Sequence, residues 1–424
     1  MTFFTVIWLM VIIYCFAQKG MKPMLYATLI FMTFQCANVI EIGDRAAGPQ
    51  VLTSMLFVVK YVLAHRGKIK IIKSKELTAI NVLMIFLVLE IVYSSMINNT
   101  LEQKLLNIIQ LCSYMVCYIF MRRSARLLDD EGIYTIVRNV IVFVVVMGVI
   151  QWLTTMHILP IRSLLKPLIY NDDSLNVYFN YNDSFHNLRV YAMFMEPSYL
   201  AGFLVGGFYY LFSFRDRWKS NMPLMALILV EILLSTSSTA YGALVIVGMI
   251  FVLYSKQIPL RLKLIIVAIA VICFGILYFR FYNILDAVIF SKSKTGSGIT
   301  RARWNSEAIA AYRQSPIWGT GYKNVRGSSI VYSLLGELGV AGMVLYYSTI
   351  FTALKSIIFR KKKLITQKWS KGYYAAMFAV LSVVICQMIA CPDLDMCTLW
   401  LCMYILAIYE GLIAKCLRET TQYG

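Results

Sequence analysis

Apolar residues in this chain come in runs of helix length, separated by short polar stretches. The runs lie near residues 3–17, 24–40, 50–65, 77–97, 105–121, 134–156, 190–214, 222–236, 238–254, 261–281, 329–357, 372–391 and 395–414. A membrane-crossing helix needs about 20 apolar residues, and some of these runs are shorter, so the expected number of spans is about thirteen, between twelve and fourteen. A membrane β-barrel would instead alternate apolar and polar residues over short segments. The predicted fold is therefore all-α: a polytopic integral membrane helix bundle, forming one domain from 1 to 424. Residues 222–254 are too long for one span and are divided at Ser235-Thr-Ser-Ser-Thr-Ala-Tyr-Gly242, where small polar residues and a glycine suit a tight turn. The first run lacks a basic leader and a cleavage site, so Phe3 to Ala17 is expected to be a retained helix.

Two polar connections stand out by length, 157–189 and 282–328. Charge places them. Basic residues crowd the connections with Lys19 and Lys22, 66–75, Arg122 to Arg126, 215–219, 256–263 and 360–371, and the tail with Lys415 and Arg418. With thirteen spans these all fall on one side, which the positive-inside rule makes cytoplasmic. The N-terminus is then outside and the C-terminus inside. Both long loops are extracytoplasmic, as is the turn at 235–242.

Composition agrees with this picture. The chain is 60% hydrophobic and 14% charged, with mean hydropathy +0.70 and net charge +19. The positive excess belongs to the short connections, and no recognition motif accompanies it, so nucleic acid is not expected as a partner. The ten cysteines form no CxxC pair or Cys/His cluster, and neither metal nor other cofactor is expected. Cys391 and Cys397 flank one turn and are either a disulfide or two free thiols.

Topology does not account for the second long loop. It holds Lys292, Lys294, Arg301, Arg303, Arg313, Lys323 and Arg326 against Asp286 and Glu307. An outer loop need not be basic. An anionic ligand explains the excess, and arginine suits diphosphate because its planar fork donates paired hydrogen bonds. Lipid headgroups are the alternative. Within the loop, Thr300 to Gln314 has the spacing of a short surface helix, with Trp304, Ala308, Ala311 and Tyr312 on one face. Gly319-Thr-Gly321-Tyr322 is either a backbone nest for phosphate or an ordinary turn. Tyr322 joins Arg301, Arg303, Arg313 and Arg326 among the candidate substrate-binding residues.

The first loop is nearly charge-balanced. Asn171, Asp172, Asp173, Asn176, Tyr178, Asn180, Tyr181, Asn182 and Asp183 suit either sugar contact or a solvated turn. His157 and His186 are candidate proton carriers, with His186 near the substrate. Arg189 and Glu196 follow, seven residues apart, and on a helix they would face the same way. Glu196 is either a general base whose pKa rises at the membrane boundary or half of a structural pair with Arg189. Deeper charges are Lys60, Glu90, Glu231 and Glu410. Lys60 and Glu90 can pair, Glu231 is paired or functional, and Glu410 is expected to snorkel. Asp393 and Asp395 lie in an outer turn that faces the same cavity or serves only as a turn.

These pieces resemble the bacterial O-antigen and capsule polymerase (Wzy) family, within the superfamily that includes the O-antigen ligases. The resemblance rests on Arg189-x-x-x-Met-Phe-x-Glu196-Pro-Ser-Tyr-Leu-Ala201, Leu233 to Gly242, Gly298-Ile-Thr-Arg301-Ala-Arg303-Trp304, Ser315 to Gly321 and Leu334-Leu-Gly-Glu337-Leu-Gly339-Val-Ala-Gly342. It covers roughly 185–350, in the expected order. It implies a glycosyltransferase on the outer face of the bacterial inner membrane, in contact with membrane lipid. Its partners would be undecaprenyl-diphosphate-linked oligosaccharides and a chain-length regulator protein. On that resemblance Arg301 and Arg303 bind diphosphate, Arg189 assists and Glu196 is the base. Ligases usually carry an arginine in the small-residue turn and a histidine in the last large outer loop. Ser237-Ser-Thr239 and Gly327 to Tyr332 have neither, which favours polymerase. Ligase and lipid-linked oligosaccharide flippase are the competing readings.

Overall fold

The computed structural model describes residues 2–42, 45–64, 75–124, 128–171, 189–254, 259–265, 268, 296–358 and 370–422. Its helices are α1 (Phe3–Ala17), α2 (Lys22–Phe31), α3 (Pro49–Ala64), α4 (Lys75–Ile97), α5 (Leu101–Ser124), α6 (Asp130–Thr155), α7 (Arg162–Ile169), α8 (Pro197–Ser213), α9 (Trp218–Leu234), α10 (Ser238–Tyr254), α11 (Gly296–Gln314), α12 (Ile330–Ile358), α13 (Ser370–Ala390) and α14 (Cys397–Gln422). Six of the described helices, α4, α5, α6, α12, α13 and α14, are long and apolar enough to cross a membrane. α1, α3 and α10 are apolar but shorter. The protein is a multi-pass membrane helix bundle. The run expected at 261–281 lies mostly outside the described residues.

Local chemistry sets the helix ends. The Thr2 hydroxyl accepts the Thr5 amide (3.2 Å) and the Asp129 carboxylate accepts the Gly132 amide (3.0 Å), capping α1 and α6. Pro197 opens α8, where its missing N–H costs nothing. α14 is buried almost all round, the mark of a central helix. α8 packs against α13 at Gly206, where a Cβ would stand 3.2 Å from the Ala379 carbonyl oxygen. A larger residue there would push the two helices apart.

Charged residues sort to opposite ends of the bundle. At one end Arg217 binds Glu131 and stacks over Tyr134 (4.0 Å), and Lys371 meets Asp216 (3.3 Å). Arg122 meets Glu410 (3.4 Å) at the same end, and Tyr118 donates to that carboxylate (3.1 Å). Glu410 therefore does not snorkel; it is held by two partners on α5. Lys60 donates to the carbonyls of Cys15 and Gln18, closing the C-terminal turn of α1. The expected Lys60–Glu90 pair gives way to this helix cap. Glu231 is buried against Gly148 of α6, where a Cβ would come within 2.6 Å of its carboxylate.

Two expected helices are shorter than their apolar runs. α2 stops at Phe31 because the amides of Gln35 and Cys36 turn to the Met193 carbonyl (3.0 and 3.3 Å). A two-stranded antiparallel ribbon follows, β1 (Ile40–Ile42) with β2 (Arg45–Ala47), with Ile40 opposite Ala47. The apolar pattern gave no sign of it. α8 begins at Pro197 rather than at 190. A residue before proline avoids helical backbone, and Glu196 is extended. Upstream, Gln151 Oε1 accepts the amides of Tyr191 and Ala192 (3.0 and 3.3 Å). Arg189 and Glu196 thus share no helix, and their two-turn register does not exist.

Candidate functional site

The site lies at the end of the bundle opposite Arg217 and Lys371, and a broken helix builds it. α12 departs from helical geometry at Gly339 (φ 63°, ψ −160°). A break frees two carbonyls before it and two amides after it, and a membrane bundle must satisfy them internally. Residues 316–321 do so. The Thr320 and Gly321 amides donate to the Gly336 and Glu337 carbonyls (3.0 and 2.9 Å). In return the Val340 and Ala341 amides donate to the Pro316 and Ile317 carbonyls (2.9 and 3.1 Å). The loop is threaded into the gap by four exchanged hydrogen bonds.

Glycine is required on both sides of this exchange. A Cβ at Gly319 (φ 68°) would lie 2.3 Å from the Glu337 carbonyl, and one at Gly339 would lie 2.4 Å from that of Ile317. Of the two readings of Gly319-Thr-Gly321, nest or turn, the phosphate nest is not formed: these amides are consumed by Ser315, Gly336 and Glu337. α4 braces the insertion. Ser94 donates to the Trp318 carbonyl (2.6 Å) and Asn98 to that of Gly319 (3.2 Å). Tyr322 is fully buried behind it, its hydroxyl without a hydrogen-bond partner among the described residues, so it presents no surface to a substrate.

The threaded loop delivers its next residues toward two other segments. Lys323 has left-handed backbone (φ 54°), a conformation costing a non-glycine residue about 1–2 kcal/mol. Its ammonium reaches Asp395 (2.8 Å), in the 391–396 connection between α13 and α14, and Gln110 of α5 donates to the same oxygen (3.0 Å). Arg326 stacks over Trp304 of α11 (4.6 Å) and faces Glu196 (3.9 Å). Ser198 donates to the other oxygen of Glu196 (3.2 Å), and Tyr199 donates to Asp393. Gln387 holds the Asp393 carbonyl (2.8 Å). Burial pushes the Asp393 carboxyl up to about 8, and the charges of Asp395 and Glu196 add to the rise. Burial also raises the Cys391 thiol to about 12; Glu196 adds to this, whereas Arg301 and Arg326 oppose it. Cys391 and Cys397 are free thiols.

Three segments remote in sequence thus bring Glu196, Asp393 and Asp395 together with Arg326, Lys323 and Arg301. Other candidates are placed elsewhere. Arg303 is exposed on α11 and pairs with Glu307 one turn on (3.5 Å). Arg313 is exposed near the end of that helix. Arg189 donates through Nε to the Ser235 carbonyl (2.9 Å) and through its other nitrogen to Thr236 (3.5 Å). The turn between α9 and α10 has no arginine of its own, yet a guanidinium from the preceding segment occupies it. Asn171 is structural, its amide bonded both ways to the Asn38 backbone (2.6 and 2.9 Å). His186 and the rest of 172–188 lie outside the described residues. α11 buries Ala308 and Ala311 with Trp304 and Tyr312 beside them, the face that its spacing predicts. Among the described residues no group of three or more His, Cys, Asp or Glu could hold a metal ion.

Lys323 and the 391–396 turn take a larger part in the site than their sequence context suggests. Two aspartates two residues apart, at the short break between the last two apolar runs, were the available signal. Comparison with known proteins adds the family. No match is found among curated proteins. Residues 223–347 match the Wzy_C family model, described as O-antigen ligase, whose ligase and polymerase members transfer glycans. That stretch runs from α9 through the broken α12, and the chain carries a domain of the Wzy_C O-antigen ligase/polymerase family.

Proposed function

We propose that this protein is a polysaccharide polymerase of the bacterial inner membrane. It joins undecaprenyl-diphosphate-linked oligosaccharide repeat units on the extracytoplasmic face, building O-antigen, capsule or exopolysaccharide. The observation that carries this reading is the mixed-charge cluster at the end of the bundle that the positive-inside rule makes external. Glycan transfer from a lipid diphosphate needs two things there. Cations must take up charge as the diphosphate leaves, and a carboxylate must accept the proton of the attacking hydroxyl. Arg326 and Arg301 supply the first, with the exposed Arg303 on the same helix as a further diphosphate contact. Glu196 and Asp393 are the carboxylates on offer. Arg189 acts as a brace for the α9–α10 turn.

Transfer to lipid A core by a ligase is the second reading, favoured by the description of the matched family. The chain differs from ligases in having no arginine within Ser237-Ser-Thr239 and no histidine within 327–332. A flippase is disfavoured because the cluster that pairs Glu196 with Arg326 and Asp395 with Lys323 lies at the outer end of the bundle rather than at its middle. The test is purified protein in nanodiscs with lipid-linked repeat units. A ladder of products, made without lipid A core, supports the polymerase. A single transfer that requires the core acceptor supports the ligase.

A further inference from the structure

The site holds three carboxylates, and they are not equivalent. Asp395 is matched to an ammonium and an amide, Lys323 and Gln110. Glu196 faces the Arg326 guanidinium and accepts from Ser198. Each of these two carboxylates is thus engaged in holding a cation of the site. Asp393 differs: among the described residues it makes no ion pair, and its side-chain partner is the neutral phenol of Tyr199. It is also half-buried, so part of it remains accessible, whereas Asp395 is almost wholly enclosed.

The surroundings of Asp393 are fixed from several directions. Tyr199 comes from the first turn of α8, where Glu196 is the preceding cap residue. Gln387, at the end of α13, holds the Asp393 backbone and is itself held by Tyr346 of α12 (2.8 Å). Lys323 and Arg326 pair with Asp395 and Glu196, and the charge of Arg301 is felt at Cys391; among the described residues none of the three pairs with Asp393.

We propose that Asp393 is the catalytic base of the transfer, with Tyr199 positioning it and Glu196 serving to hold Arg326. The inference rests on the polymerase reading. In the step, the acceptor sugar hydroxyl oxygen forms a bond to the donor anomeric carbon. The bond from that carbon to the diphosphate oxygen breaks, and the electron pair leaves with the lipid diphosphate. The hydroxyl proton passes to the Asp393 carboxylate, which releases it to water before the next cycle. A base for a sugar hydroxyl gains from a raised proton affinity, provided that it still ionises in the working range. Burial and two like charges bring Asp393 into that range.

The experiment is a pH–rate profile of elongation in nanodiscs. Wild type is compared with Asp393→Asn, Asp393→Glu, Glu196→Gln and Tyr199→Phe, each checked for unchanged unfolding temperature. Wild-type kcat should climb with pH and level off above about 8, because only ionised Asp393 reacts. Asp393→Asn keeps an acceptor for Tyr199 and so should fold, yet kcat should fall about 100-fold or more with KM little changed, and the rising limb should vanish. Asp393→Glu should restore part of the rate and the limb. Glu196→Gln should keep the limb but move it to lower pH, since one negative neighbour is gone. Tyr199→Phe should move it to higher pH, since a donor to the carboxylate is lost. A normal limb and kcat in Asp393→Asn, or loss of the limb in Glu196→Gln alone, overturns the inference and leaves the polymerase standing. Failure of the wild type to elongate any repeat unit overturns both.

Discussion

Replacing Gly339 by alanine tests whether the break in α12 holds the site together. Its backbone (φ 63°, ψ −160°) lies in a region open almost only to glycine, and a side chain there costs about 1–3 kcal/mol. The new Cβ would also lie 2.4 Å from the Ile317 carbonyl oxygen and 2.7 Å from that of Pro316. Both are backbone atoms and cannot swing aside. The loop must retreat, and it is bonded to the break by the four exchanged hydrogen bonds. Losing two of them removes a further ~1–3 kcal/mol at the usual net worth of a hydrogen bond. The expected total is about 2–6 kcal/mol. The measurement is unfolding in nanodiscs followed by tryptophan fluorescence, with Trp318 inside the loop as a local reporter. Gly207→Ala in α8 is the matched control, because its Cβ would meet Ile141 at an ordinary 3.5 Å. That variant should be neutral or stabilised, by up to about 1 kcal/mol from helix propensity. A Gly339→Ala protein within about 0.5 kcal/mol of wild type would refute the account of the break.

Two further outcomes follow from the same geometry. Tyr322→Phe removes a buried hydroxyl that bonds to none of the described residues, so stability should hold or rise by about 1 kcal/mol with elongation unchanged; a fall in turnover at full stability would show the hydroxyl meeting substrate. Arg326→Ala gives up a partly exposed pair and a stack over Trp304 worth together about 1 kcal/mol or less, yet turnover should drop more than tenfold, and Arg326→Lys should not restore it because lysine lacks the planar fork. Equal turnover by the lysine variant would reduce Arg326 to a simple counter-charge.

Helices were legible from the sequence because burial in a bundle and immersion in lipid write the same signal. Phe3–Ala17 was legible to the residue, and the face of α11 followed from the spacing of Ala308 and Ala311. What hydropathy misses is apolar chain that is not helical. Residues 190–196 and 32–39 are as apolar as their neighbours, and their backbone is taken by partners such as Gln151 and Met193. The glycines of 319–321 were legible as special but not as to purpose, since a loop that binds phosphate and one that binds a broken helix need the same small residues. The outer turn offered Asp393 to the same cavity, but its meeting with Glu196 and Arg326 could not be read, because no local pattern records which distant loops converge.

The insertion of 316–321 into α12 also constrains how this chain can change over time. Four bonds fix the number of residues between Pro316 and Ala341 as firmly as a strand register fixes a hairpin. One residue added or removed there would put every donor opposite the wrong acceptor and swing Lys323 and Arg326 off their carboxylates. Relatives with other substrates should therefore vary freely in residue type around this stretch, and in the length of their outer loops, while keeping its length constant.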